Sequence, residues 1–425
     1  MDLKNLILNK SFTDFFVMFI TNMIKKGFGF FREIILASVF GSSIIYANFL
    51  LLRTGADVFS HLTQGTALQA SLLSKFSKTY SDFQEVSLSN VLILSKNISW
   101  SLFGLSQLIQ LPIVFYIITV HDVNLWLFIG ISVLLGLIVS LNFYSSIFLI
   151  VMQGKGLFKK HSFATTVDMF VSTAILYPLS IFFGVAGIAI SRIVGLLAMI
   201  YKFFKSMFSE VDGHKVSFEL KDINLPIMLL GNFANIIMLL SRFIAGLDQG
   251  NNITFFNYSI VILNVFLTAV IMNLNTIVLR RLSIQKDIKI IFYSVCISLI
   301  LGVSLVFFIR AYGFFIIQFI FERGRFNSQD TMLTFLYAKD LSVSFVFIFL
   351  ASALFQPFFS LEQNMIKKDS KIMSLILFFA TVFLFVYFYC IESTARQNSI
   401  IMIYSLSIIS MLLSVFSCYK YFKSK

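Results

Sequence analysis

Long apolar runs follow one another from Phe12 almost to the C-terminus, separated by brief polar turns such as Gly41-Ser42-Ser43, His121-Asp122-Val123-Asn124 and Asp248-Gln249-Gly250-Asn251-Asn252. An α-helix rises about 1.5 Å per residue, so about 20 apolar residues cross the roughly 30 Å hydrocarbon core of a bilayer. By that measure the pattern predicts twelve membrane-spanning helices, over 12–40, 44–74, 89–119, 123–152, 162–183, 185–204, 223–247, 253–279, 288–310, 331–359, 372–391 and 398–417. The weakest stretch is 311–327, where Tyr312–Phe321 is too short to cross and Glu322-Arg323-Gly324-Arg325 follows at once; it reads as the end of the ninth span plus a turn. No connection is long enough to fold as a soluble domain. The expected fold is an all-α polytopic membrane protein, with about twelve transmembrane helices in two six-helix lobes (1–210 and 211–425) around a central cavity.

Composition agrees. Of 425 residues, 58% are hydrophobic and only 12% charged, with 53 Phe, against about 45–50% and about 25% in soluble domains. That excludes a globular enzyme, a disordered chain and a disulfide-stapled secreted fold. The three cysteines, Cys296, Cys390 and Cys418, lie in apolar stretches without a C-x-x-C pair, which argues against metal or redox roles. No cleavable leader is expected, because the first apolar stretch lacks a small-residue cleavage pattern.

A net charge of +13 would point to nucleic acid in a soluble protein, but its distribution says otherwise. With the N-terminus inside, 21 of the 33 Lys and Arg fall in cytoplasmic turns or tails, and only Arg323, Arg325 and Arg396 fall outside. This positive-inside asymmetry places both termini in the cytoplasm, and a bacterial inner membrane is the expected location.

The remaining nine basic residues lie in or beside spans, where a charge costs about 2.5–3.5 kcal/mol on insertion scales. Lys96, Arg192, Arg242, Arg310 and Lys339 are scattered, whereas Lys25, Lys26, Arg32 and Arg53 gather in the first two spans with Glu33, Asp57 and His61. Lys25 shares a helix face with Arg32 at i,i+7, and so does Lys26 with Glu33; Arg53, Asp57 and His61 follow at i,i+4 steps. Lys26 and Arg32 are about 9 Å apart along the axis, with Gly27 and Gly29 between them permitting a bend. One reading pairs Arg32 with Glu33 and Arg53 with Asp57, leaving Lys25 to extend to the interface. The other takes the surplus cation as a site for an anionic ligand, for which guanidinium favours phosphate.

Arg192 and Arg242 are further candidates for the same cavity, each with a helix C-terminal carbonyl as its alternative partner. Asp168, the lone acid of its span, is a candidate cation or proton site, and Lys339-Asp340 marks an interfacial position. A faint repeat supports two lobes. In each half a span with an isolated arginine (Arg32, Arg242) runs through a polar turn into an aromatic/Asn cluster, Tyr46-Ala47-Asn48-Phe49 and Phe255-Phe256-Asn257-Tyr258.

The chain has no G-x-x-x-x-G-K-[ST] loop, no H-E-x-x-H and no catalytic triad set, and His61, His121, His161 and His214 are dispersed. No enzyme activity, cofactor, nucleotide or nucleic acid is therefore expected. A cationic cavity without an ATP site points to a secondary transporter of an anionic solute or lipid headgroup.

Three segments then resemble a known family. Gly29-Phe30-Phe31-Arg32-Glu33-Ile34-Ile35-Leu36-Ala37-Ser38-Val39-Phe40-Gly41 is similar to the first-span signature of the lipid II flippases (MurJ/MviN) of the MOP exporter superfamily. Gln64-Gly65-Thr66-Ala67-Leu68-Gln69-Ala70 resembles the family segment after span two, and Phe321-Glu322-Arg323-Gly324-Arg325-Phe326-Asn327-Ser328-Gln329-Asp330-Thr331 its outer turn before span ten. Gly187–Tyr201 and Asn232–Ser283 fit spans six to eight in spacing.

The resemblance implies two six-helix lobes around a cationic cavity that binds the diphosphate of an undecaprenyl-linked sugar. Arg32 matches the family's span-one arginine, Lys26 stands at a second arginine position without its bidentate fork, and Arg53 matches a basic position in span two. The family's span-two acid falls near Ala47, its Ala-Asp-Arg of span eight is replaced by Ser259-Ile260-Val261, and a following glutamate by Asn264. The chain also ends after span twelve, where the family usually adds two spans. These departures favour a relative moving another undecaprenyl-diphosphate oligosaccharide, like the twelve-span polysaccharide (Wzx-type) flippases. Substrate-contact residues are then Lys26, Arg32, Arg53 and Arg242, and partners are the polyprenyl-diphosphate-linked saccharide, the bilayer and glycan-assembly enzymes. The alternatives are lipid II as substrate, a cation-coupled multidrug exporter of the superfamily, which would show acids in its cavity, and a non-transporting scaffold.

Overall fold

The structure, a computed structural model, describes residues 3–63, 85–86, 88–121, 123–155, 157–207, 215–216, 224–248, 250–271, 274–275, 278, 282, 289–361, 363–391 and 393–423. The segment Gln64–Ala70, the end of the second expected span, Arg280, Arg281 and Lys286 lie outside them.

The described chain is α-helical apart from one two-residue parallel bridge, Glu85–Val86 with Lys215–Val216. The helices are α1 (Leu3–Phe40), α2 (Ile44–Thr63), α3 (Leu88–His121), α4 (Leu125–Gly154), α5 (Phe158–Ala174), α6 (Leu176–Phe183), α7 (Val185–Met207), α8 (Leu225–Gly231), α9 (Phe233–Ala245) and α10 (Asn252–Phe266). A π-helical turn over Leu267–Ile271 extends α10, and α11 (Lys289–Phe321), α12 (Ser328–Leu354), α13 (Gln356–Phe359), α14 (Gln363–Cys390) and α15 (Ala395–Lys423) complete the chain. The ninth expected span continues as α11 to Phe321 and ends in the turn before Ser328, as the charge pattern there predicts.

Seven of these segments are individually long and apolar enough to cross a membrane, and two bent pairs, α5–α6 (43°) and α8–α9 (76°), bring the number to nine among the described residues. The polar residues of α1 and α2 and the short length of α10 keep these three below that standard, yet they occupy the positions of expected spans one, two and eight. The protein is a multi-pass membrane protein.

Each break has a local cause. Pro178, at the start of α6, lacks the N–H that would bond back into α5. Asn232 closes α8 by donating its N–H to the Leu229 carbonyl at 3.2 Å. Helix starts are capped where the sequence offers an acceptor. Asn124 Oδ1 accepts from Trp126 and Leu127 N–H at 3.0 and 3.3 Å, and Asn327 and Asp330 form a reciprocal capping box at α12.

The chain divides into two compact units, Met1–Val39 with Gly55–Met228, and Phe40–Thr54 with Leu229–Lys425. In the first, α4 packs against α3 and α7, and α5 against α7. Small residues permit these approaches, as expected where lipid gives helices no apolar incentive to associate. A Cβ on Gly136 would meet Gln107 Nε2 at 2.3 Å. There Gln107 donates to the Ser132 carbonyl (3.0 Å) while Ser132 Oγ donates to Gln107 Oε1 (2.9 Å), so two polar side chains in adjacent spans satisfy each other.

The second unit is organised around α12, which packs on α10, α11 and α15. Its aromatic centre is Tyr258, whose ring lies 5.0 Å from Phe321, 5.3 Å from Phe326 and 6.2 Å from Tyr46. Three turns meet beside it. Tyr258 donates to the Gly41 carbonyl at 3.4 Å, and Asn251 Nδ2 donates to the Ser42 carbonyl at 2.7 Å. Gly41 has φ +55°, and a Cβ built on it would lie 2.5 Å from the Arg325 carbonyl oxygen.

Gly41→Ala therefore meets both a left-handed backbone and a carbonyl it cannot avoid. It should cost at least about 2 kcal/mol, seen as a lower thermal unfolding midpoint of the purified protein in detergent, whereas Gly104→Ala, with open space around its Cβ, should not.

Candidate functional site

α1 carries the basic residues that the sequence singles out. Counted back from Phe40, Arg32 lies about 12 Å and Lys26 about 21 Å along the helix axis, both inside a hydrocarbon core of about 30 Å. Arg32 is buried, while Lys25, Lys26 and Glu33 are half-buried. Lys25 lies within electrostatic reach of Asp168 and Arg192. Lys26 has a second cation, Lys25, within electrostatic reach.

Asp168, the one acid of its span, is paired. Arg192 Nη1, from α7, donates to both of its carboxylate oxygens, at 2.8 and 2.7 Å, and Arg192 Nη2 reaches Asn142 Oδ1 at 3.4 Å. Both acid and base are thus satisfied by side chains rather than by the helix-end carbonyl considered for Arg192. Gly195 makes the pair possible, since its missing side chain leaves the Asp168 carbonyl 2.6 Å and its carboxylate 2.9 Å from the Cβ position. Nearby in charge terms is His161, one helical face along α5 from Asp168, which is within reach of Lys25 and contacts Gln153 Nε2 at 3.1 Å. The first unit therefore holds a polar group built from α1, α4, α5 and α7, in which Asp168 is bonded by Arg192 and lies within electrostatic reach of Lys25.

Arg53 and Arg242 belong to the second unit. Arg53 is half-buried on α2. Arg242, in the last turn of α9, donates from Nε to Thr54 Oγ1 at 2.7 Å and from Nη1 to Asn257 Oδ1 at 3.2 Å. Thr54 in turn donates to the Leu50 carbonyl at 2.7 Å, which aims its lone pairs at the guanidinium. The repeated Arg-turn-Asn pattern thus has a structural counterpart in this unit, where Arg242 and Asn257 of the second repeat are direct partners.

Sequence reasoning missed a second ion pair. Arg396 Nη2 donates to Asp340 Oδ2 at 2.8 Å with its guanidinium 5.3 Å from the Tyr337 ring, and Tyr404 donates to the Asp340 carbonyl at 2.9 Å. Arg396 and Asp340 were separately legible as charges near span ends, but nothing in the sequence couples them. Among the described residues no group of three or more His, Cys, Asp or Glu is placed to hold a metal ion.

No family model and no curated relative matches the chain. Solved structures do. A lipid II flippase MurJ in an inward closed conformation superposes with a TM-score of 0.73 at 17% identity, covering 95% of this chain and 87% of that one. An inward-facing multidrug resistance MATE family transporter of the MOP superfamily gives 0.62 at 15% identity, over 94% of each chain. A MOP superfamily transporter from Pyrococcus furiosus, described as having a binding pocket of reverse polarity, gives 0.56 at 14% identity, over 96% of this chain and 94% of that one. The chain has the MOP-superfamily fold. Within that fold, MurJ is the more similar of these in shape, in line with the motifs of α1 and the α11–α12 turn.

The Asp168–Arg192 ion pair is the feature of this site most open to a stability test. Asp168→Asn should destabilise by about 2–3 kcal/mol, below the 3–5 kcal/mol of a fully buried pair because Arg192 keeps some exposure. The double variant Asp168→Asn/Arg192→Gln should recover more than half of that loss in thermal unfolding, since no charge is then left without its partner.

Proposed function

We propose that the protein is a flippase that moves a polyprenyl-diphosphate-linked oligosaccharide across a bacterial inner membrane by alternating access, with both termini in the cytoplasm. The observation that carries this reading is Lys26, a half-buried ammonium on α1 that has a second cation, Lys25, within electrostatic reach. Such a group is costly unless an anion is to be received, and a diphosphate is the anion that a lipid-embedded carrier meets. Arg32, in the buried part of the same helix, supplies a guanidinium suited to phosphate oxygens. Arg53 and Arg242 are the basic candidates for ligand contact within the second unit, Arg242 oriented by Thr54 and Asn257. Transport of a lipid-linked anion also suits a fold shared with the MurJ and MATE proteins.

Lipid II itself is the second reading, favoured by the TM-score of 0.73 to the lipid II flippase MurJ, against 0.62 to the MATE transporter. Growth of a strain depleted of its own lipid II flippase separates the two. Rescue by this chain assigns lipid II, and failure to rescue, with the protein inserted and stable, assigns another saccharide.

Arg32→Glu should abolish translocation of the lipid-linked saccharide while membrane insertion stays at the wild-type level, and Lys26→Gln should weaken binding of undecaprenyl diphosphate about tenfold. A fully active Arg32→Glu protein would overturn the assignment.

A further inference from the structure

α14 is unlike the other spans. Only 11% of its apolar window is buried, against 28–67% for the other six helices that individually qualify as spans. It packs on α15 and sets Phe385 against Phe243 of α9, and many of its other side chains are exposed. One stripe of these, at i, i+4, i+8, i+11, i+15 spacing, reads Lys367, Lys371, Leu375, Phe378 and Val382. All five are exposed, Leu375, Phe378 and Val382 by 45%, 60% and 42%. Val382 lies about 16 Å along the axis from Lys371, close to the roughly 15 Å of one leaflet's acyl region, and Val386, 56% exposed, continues the stripe beyond it.

The charged end of the stripe is a cluster. Asp369 forms an ion pair with Lys420 of α15, which joins the first turns of α14 to the last turns of α15. Lys367, Lys368, Lys371 and Lys423 are exposed around that pair. Among the described residues the one carboxylate beside these five lysines is thus already engaged. Lys420 also lies 5.1 Å from the centre of the Phe416 ring, so the patch continues directly into apolar surface on α15 as well.

We propose that this face of α14 binds an anionic phospholipid, its phosphate at Lys367, Lys368 and Lys371 and one acyl chain along Leu375, Phe378 and Val382. The two halves of the surface select that ligand together. A soluble acidic protein or a nucleic acid would use the lysines and leave the apolar stripe unmatched, whereas a zwitterionic lipid would use the stripe and leave the lysines unmatched. A second copy of the chain fits poorly. A symmetric dimer through parallel α14 helices would set each lysine group against its own copy at the same depth. It would also set Phe378, Phe379 and Phe383 where close helix contact calls for small residues.

The test uses the full chain purified in neutral detergent and native mass spectrometry. The probes are phosphatidylglycerol, phosphatidylcholine, tail-free glycerophosphoglycerol and inorganic phosphate. Wild type should retain phosphatidylglycerol in preference to phosphatidylcholine, with neither soluble phosphate competing. Lys367→Gln/Lys368→Gln/Lys371→Gln should lower phosphatidylglycerol retention at least about tenfold, and Lys159→Gln/Lys160→Gln should leave it unchanged, all three proteins keeping the same thermal midpoint. Retention unaltered by the triple change, or equally reduced by the control pair, overturns the proposal. So does competition by inorganic phosphate, which would make the site one for free anions. Oxidative cross-linking between copies through the exposed Cys390 of α14, undiminished by phosphatidylglycerol, would assign the face to a second copy instead.

Discussion

A guanidinium or ammonium at membrane depth must find its acceptors inside the protein, because hydrocarbon offers none. That requirement shapes the polar interior of both units. Arg192 meets it with a carboxylate and an amide and Arg242 with a hydroxyl and an amide, while Arg396, at a span end, takes a carboxylate and an aromatic face. These solutions are electrically different. A carboxylate cancels the cation locally, whereas neutral acceptors satisfy its hydrogen-bonding geometry and leave its field intact. The pairing of Arg192 with Asp168 therefore cancels that cation locally, while Thr54 and Asn257 fix the direction of the Arg242 guanidinium.

The same requirement reaches back into helix packing. For Arg192 to clasp both oxygens of Asp168, α7 must approach α5 closely, and Gly195 is the residue that lets it. Gly136 plays the corresponding part for the Gln107–Ser132 exchange between α3 and α4. Buried serines along the helices, such as Ser191, Ser294 and Ser344, avoid the problem by donating to their own helix three residues back. Many polar side chains in these spans thus close on themselves, and others, such as Gln107 and Arg192, bond to the neighbouring helix.

Much of the fold was legible because a bilayer imposes a length on every crossing. The turn at Glu322–Asn327 was readable from its charges, and α11 does run to Phe321. Axial depth follows from counting residues, so Arg32 and Lys26 could be placed along α1 without any structure. Rotation about a helix and the choice of neighbour cannot be counted in this way. Asp168 and Arg192 are 24 residues apart on separate spans, and Asp340 and Arg396 are 56 apart. Neither pairing was legible, because partnership depends on which faces two spans turn toward each other. Gly195, three residues beyond Arg192, was the one local sign of a close approach.

The junction at Gly41 bears on what a sequence signature means. The segment from Gly29 to Gly41 and the segment from Phe321 to Thr331 carry most of the likeness to the lipid II flippases, and they touch, with Gly41 lodged against the Arg325 carbonyl beside Tyr258, Phe321 and Phe326. Much of what these motifs preserve is a hinge-pin between three turns, fixed by backbone shape and ring packing. Such a joint is a packing requirement and makes no demand on what a chain binds. Shared spelling at these positions is thus a likeness of scaffold rather than of ligand.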